Sequence, residues 1–230
     1  MTNQTEQKTQ WHHIFAALLD ELLSPVGIKV KSDVPISLNP PEIDIILMQQ
    51  VGSGNWTDEQ RAYLPDGIRD SLADQASLEL KITETVDKKA IEQVLMYDIG
   101  YRRSTAKQKE QVTVQSFLVS AKTPDPSNGV LEQYGYQATE QAGIYRSDNI
   151  FIKELPLILL NELSDEAHNV FFKLFASRMT VKRSAVRSLR RWWLAQLSAV
   201  YSRIITKLVT RRDHRGDINR RAVKRTGQVD

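Results

Sequence analysis

Apolar residues return at helical spacing through "QWHHIFAALLDELL", residues 10–23, where Trp11, Ile14, Leu18 and Leu22 share one side and "SPVG" stops the run. The period then drops to two. "IKVKSDVPI" alternates like a strand, "NPP" interrupts it, and "EIDIILM" alternates again, with Ile43, Ile45 and Leu47 on one side and Glu42 and Asp44 on the other. "VGSGN" reads as a turn and "WTDEQRAYLPDGIRDS" as a short helix and loop. A strand over 77–84 follows, containing "LELKITE". Leu78, Leu80 and Ile82 face one way, while Glu79 and Lys81 project together on the opposite face, about 6 to 7 Å apart. Helical spacing resumes over 85–103 with Ile91, Val94, Leu95 and Ile99 as the buried stripe, and "QVTVQSFLVSA" (111–121) is the next strand.

Beyond it, "KTPDPSNG" is a loop, "VLEQYGYQ" a short helix and turn, and "GIYRSD" and "IFIKELPLILLNEL" supply short extended pieces. "SDEAHNVFFKLFA" is expected to be a helix capped by Ser164. A final helix is expected over 179–209, with the stripe Val181, Ala185, Leu189, Trp192, Leu197, Val200, Ile204 and Leu208 among arginines and lysines. The charged end, "RRDHRGDINRRAVKRTGQVD", is expected to be disordered. The pattern predicts an α/β fold, a mixed sheet flanked by helices, over residues 1–177. Residues 178–230 form a basic helical C-terminal extension and tail.

Composition adds bounds. With 230 residues, 41% of them hydrophobic, the chain can bury a substantial core. It has no cysteine, which excludes disulfides and thiolate metal sites and suits a reducing cytoplasm. The start shows no signal-peptide pattern. The longest uncharged apolar stretch, Trp192 to Ser202, falls short of the ~18 residues of a membrane-spanning helix. The net charge of +3 hides an uneven distribution: residues 1–177 carry −9 and residues 178–230 carry +12. A basic tail of this kind suits a polyanion, either nucleic acid or an anionic membrane surface.

For an arbitrary E-x-K strand the ordinary reading is a solvated outer face. Here the second and third strands are expected to be neighbours, which brings Asp44, Glu79 and Lys81 to one sheet edge. Two carboxylates are hard oxygen ligands for Mg²⁺ or Mn²⁺, and a lysine beside them places positive charge where a phosphate would be attacked. Ordinary salt bridging accounts for the same spacing. The remaining chemistry-bearing residues read as structural. His12 and His13 are adjacent on a helix and face different directions, which assigns them to surface or packing, and His168 and His214 are isolated. Asp66 and Asp70 shape a loop. Of the pair Trp192 and Trp193, one packs. No H-E-x-x-H, phosphate-binding loop or nucleophile elbow is present.

The order D-x(34)-E-x-K on consecutive strands, followed by a helix, resembles the PD-(D/E)XK nuclease superfamily. Gln93-x-x-x-Tyr97 on that helix is similar to the Q-x-x-x-Y element of its RecB-like branch. "GIKVKSDVPISLNPPEIDIILM", "LPDGIRDS", "FLVSAKTP" and "LPLILLNELSDEAHN" resemble uncharacterised bacterial, cyanobacterial-type members akin to the transposase-associated Rpn group, over about residues 10 to 178. Ile43 stands where the signature has proline. The resemblance implies a restriction-endonuclease-like fold and a Mg²⁺-dependent (or Mn²⁺-dependent) nuclease acting on nucleic acid, DNA first. It implies Asp44 and Glu79 as metal ligands, Lys81 as catalytic and Gln93 as a supporting site residue. Two alternatives stay open: a catalytically inactive binding module on the same fold, and a peripheral membrane protein held by the basic helix. Oligomeric state, a dimer included, is left open by the sequence.

Overall fold

The computed structural model describes residues 2–35, 42–50, 55–105 and 112–192. The chain begins with α1 (Thr2–Leu23), which starts well before the apolar spacing that marks it. Its first turns are Thr, Asn, Gln, Glu and Lys, which continue a helix without leaving a periodic signal. A tight turn over Ser24–Val26 ends at Gly27, whose φ of 75° needs a residue without a Cβ. Then follow β1 (Ile28–Pro35), β2 (Glu42–Gln49), α2 (Asp58–Arg61), β3 (Gln75–Lys81), α3 (Lys88–Thr105) and β4 (Val114–Ser120). The chain continues through α4 (Val130–Gln133), β5 (Tyr136–Ala138), β6 (Ile144–Ser147), β7 (Leu157–Leu159), α5 (Val170–Lys173) and α6 (Met179–Trp192). The remainder of the expected final helix, Trp193, His214 and the charged end lie outside the described residues.

The strands form one mixed sheet of seven in the order β1-β2-β3-β4-β7-β6-β5. Its centre, β3-β4-β7, is parallel and its two flanks are antiparallel. Central parallel strands are covered on both faces, which is why "LPLILL" reads as a continuous apolar run rather than an alternation. On one face α1, α5 and α6 close over Ile45, Leu47, Leu78, Leu80, Phe117 and Val119. Phe15 of α1 meets Phe172 edge-on at 5.0 Å and Phe175 at 4.2 Å, so aromatic contacts pin the first helix to the last part of the domain. Ala185 and Leu189 belong to the same core, so the first turns of the basic helix pack with the sheet domain. On the other face α3 sends Ile91 and Val94 against Leu118, Leu157 and Leu159.

The Glu79/Lys81 face is not the solvated outer face of an ordinary E-x-K strand, because α3 covers it and both side chains are buried. Two expectations are corrected. Ile99 is 44% exposed, and Tyr101 takes the buried place. Ser164 caps no helix: the chain there turns through Ala167–Asn169 before α5, and the Ser164 hydroxyl is bonded elsewhere. Among the described residues no helix is long and apolar enough to cross a membrane.

Candidate functional site

The site begins with a fault in two strands. β1 and β2 pair regularly from Ile28 opposite Gln49 to Ser32 opposite Ile45, and again at Val34 opposite Ile43, but the pair Asp33 and Asp44 is missing. Asp33 has a φ of 51°, left-handed for a residue with a Cβ, which costs on the order of 1 kcal/mol. The side-chain alternation of β2 breaks at the same level. Ile45 and Leu47 face α1, whereas Ile43 joins Ile46 and Tyr101 under α3, contrary to the single face expected for all three odd residues. On the other edge, the β2–β3 ladder runs only from Met48 opposite Gln75 to Ile45 opposite Leu78. Asp44 therefore has no ladder partner on either side. Its carboxylate fills the split instead: Oδ2 accepts from the Leu80 backbone N–H at 2.7 Å, and Oδ1 lies 3.1 Å from His12 Nδ1.

Beside it, β3 carries the opposite charges. Lys81 is 2% exposed and Glu79 4%; Lys81 Nζ donates to Glu79 Oε1 at 2.7 Å and to Gln93 Oε1 on α3 at 3.2 Å. Gln93 Nε2 then donates to the Tyr97 hydroxyl at 2.7 Å, as expected for residues one helical turn apart. The polar seam continues along the same face of the sheet. The Ser77 and Ser116 hydroxyls meet at 2.6 Å, Ser116 donates to Asp98 at 2.7 Å, and Tyr101 donates to Gln75 at 2.7 Å. α3 is thus docked by a row of hydrogen bonds flanked by apolar contacts, and this row ends at Lys81.

The electrostatics are unbalanced at one atom. Glu79 Oε2 is buried and has no hydrogen-bond partner among the described residues. Burial and the nearby charge of Asp44 push the Glu79 carboxyl up to about 7 against the opposing pull of Lys81. Burial by itself would lower Lys81, but the charge and hydrogen bond of Glu79, with Asp44 behind it, overcome this and raise it. Burial, despite the hydrogen bond from Gln93, raises Tyr97. A buried carboxylate oxygen without a donor, next to a second carboxylate, is where a cation would lower the free energy most. Among the described residues no group of three or more His, Asp or Glu converges to hold a metal ion. Two carboxylates do suffice for Mg²⁺, which keeps several waters and takes substrate phosphate oxygens as its other ligands.

Sequence reasoning placed Asp44, Glu79, Lys81 and Gln93 here, and the fold brings all four together. It missed His12, assigned to surface or packing, which is buried against Asp44. Its neighbour His13 points to Asp33 at 3.4 Å, so adjacent histidines each face one member of the broken strand pair. The only available signal was a helix with histidine beside tryptophan on a buried edge, and that does not name a partner. His168 is likewise not isolated. Its Nε2 bonds Asp66 Oδ1 at 2.7 Å, and Arg69 Nη1 donates to its Nδ1 at 2.7 Å. Asn169 and Ser164 donate to Asp66 Oδ2, and the Asp66 N–H donates to Asn169 Oδ1. This second cluster ties "LPDGIRDS" to "NELSDEAHN". No protein-family model, no curated protein and no solved structure matches this chain, so the site is read from its own geometry.

Proposed function

We propose that this chain is a Mg²⁺- or Mn²⁺-dependent nuclease of the PD-(D/E)XK type, with a restriction-endonuclease-like fold, hydrolysing phosphodiester bonds in nucleic acid, DNA first. One observation carries the reading: Glu79 and Lys81 are buried beside a half-buried Asp44 at a break in the sheet, and the Glu79 Oε2 oxygen has no donor among the described residues. A buried ion pair assembled only for stability has its lone pairs satisfied, and an apolar replacement serves at least as well. Asp44 and Glu79 would hold the cation, which supplies charge neutralisation at the phosphate and a more acidic bound water. Lys81 presents a fixed ammonium to the charge that develops on the phosphoryl oxygens, and Gln93 restrains its direction. His12 and the Leu80 N–H hold both oxygens of Asp44 and so set its orientation. The +12 charge of residues 178–230 supports a polyanionic partner.

The test is cleavage of plasmid, linear duplex and single-stranded DNA by purified protein, with Mg²⁺ or Mn²⁺ and with chelator. Metal-dependent cleavage that Glu79→Gln abolishes is the expected result. Salt-sensitive binding without cleavage points instead to a non-catalytic module, and binding only to anionic liposomes points to a membrane-surface protein.

A further inference from the structure

The helix α3 packs on the sheet through one side, where Ile91, Val94 and Tyr101 are buried. On its opposite side Lys89, Glu92, Met96, Ile99 and Arg103 are all exposed. These five follow one another at intervals of three, four, three and four residues, the spacing of a seam along which two helices meet. Met96 is 56% and Ile99 44% exposed, and together they form the middle of the seam. The other large apolar residues exposed among the described ones, Leu72, Ile150 and Phe151, lie in loops and turns rather than along a helix face.

The charges of the seam select what covers it. Glu92 stands four residues before Met96, and Arg103 four residues after Ile99, so opposite charges flank the apolar pair symmetrically. Among the described residues Arg103 has no ion-pair partner, and Glu92 reaches Lys88 at 3.5 Å in an exposed pair of the kind worth little. A second α3 laid antiparallel, with a two-fold axis midway between Met96 and Ile99, sets Met96 against Ile99 of the other copy and Glu92 against Arg103 of the other copy. The symmetry makes each contact twice. A parallel alignment would set Glu92 against Glu92 and Arg103 against Arg103, which repels.

We propose that the outer face of α3 is a self-association surface, which pairs with α3 of a second copy of this chain in antiparallel register about Met96 and Ile99. The seam is short. Standard interfaces engage roughly 20–30 residues a side, so the dimer is a weak one, with a dissociation constant on the order of tens of micromolar. The inference goes beyond the nuclease reading and does not depend on it, because none of the five seam residues is placed in the hydrolytic site.

The experiment is sedimentation velocity on the full chain, freed of nucleic acid, from about 1 to 300 μM in ~0.15 M salt. Wild type is expected to pass from monomer to dimer across this range. Glu92→Arg and Arg103→Glu each set like charges against each other at both ends of the seam, and each is expected to weaken the dimer at least about tenfold. An equimolar mixture of these two variants is expected to recover it, because every opposed pair in the mixed dimer is again of opposite sign. Met96→Glu, which puts two carboxylates into the middle of the seam, is expected to abolish association. All three substitutions are at exposed positions, and thermal melts check that the variants fold as wild type does. The basic tail is present in every sample, and association through it would leave the variants like wild type. A wild type that stays monomeric throughout, or a dimer that none of the three variants weakens, overturns the assignment. Single variants that lose the dimer without recovering it in the mixture overturn it as well, because antiparallel pairing requires that recovery.

Discussion

The Asp44–Glu79–Lys81 cluster and the Asp66–His168–Asn169 cluster are both built around half-buried or buried carboxylates, yet their oxygens fare differently. Each oxygen of Asp66 has a donor, and its own N–H is returned to Asn169. Burial opposes its ionisation, but the hydrogen bonds from His168, Asn169 and Ser164 outweigh that and hold the carboxyl at about 2. Glu79 has Lys81 on one oxygen and, among the described residues, nothing on the other, and its carboxyl is pushed up to about 7. A saturated carboxylate is a fastener between two loops. An unsaturated one beside another carboxylate is, on the reading proposed above, a pair of ligands awaiting a cation.

The strongest way to break this comparison is Lys81→Met. Cleavage is expected to slow on the order of a hundredfold or more, read in single turnover at saturating metal. At pH 8 the folded protein is also expected to lose about 3–5 kcal/mol, because without Lys81 the buried Glu79 must either hold an unpaired charge or bind a proton that is scarce at that pH. At pH 5 a proton replaces the lysine and the stability loss shrinks. A loss of under about 1 kcal/mol at both pH values with unchanged cleavage would return the pair to an ordinary salt bridge.

Next in size is a pH dependence of opposite sign in the two clusters. The folded state holds the Glu79 proton more tightly than the unfolded chain, whose value is 4.5, so this residue's contribution to stability falls as pH rises from 4.5 to about 7 and then levels. The expected loss is on the order of 3 kcal/mol. Glu79→Gln should lack that slope in denaturant melts, and Mg²⁺ at pH 8 should restore wild-type stability by binding only the folded form. Asp66 behaves conversely. Its contribution is present above 3.8 and is lost as pH falls toward about 2. Asp66→Asn is therefore expected to cost about 2 kcal/mol at neutral pH, with the gap to wild type closing in acid. The refolded variant should cleave at the wild-type rate; a variant that folds normally but has lost its cleavage would move Asp66 from fastener to functional group.

The smallest expected effect separates His12 from the packing role that its place on a helix suggests. His12→Ala should weaken metal affinity about ten- to a hundredfold by calorimetric titration, with little change in melting, because the ring orients a ligand without being required by the core. His12→Asn, whose amide nitrogen can reach Asp44, should recover part of that loss. Wild-type affinity in His12→Ala would leave the contact at 3.1 Å without a role.

Much of this molecule was legible as pattern. Period two over "EIDIILM" and "LELKITE" and period 3.6 around Ile91 and Val94 are set by backbone geometry, so the strands, α3 and the shared face of Glu79 and Lys81 follow from residue order alone. The spacing of Gln93 and Tyr97 fixed their common face in the same way. What pattern cannot carry is the partner across space. The left-handed turn at Asp33, the alternation that breaks at Asp44, the burial of Lys81 beneath α3 and the approach of His12 each depend on an element distant in the chain. The same holds for Asp66, whose donors lie about a hundred residues away in sequence. Local periodicity determined which side chains share a face; only the tertiary structure decided which faces meet, because desolvation and hydrogen-bond saturation are properties of the contact and not of either strand alone.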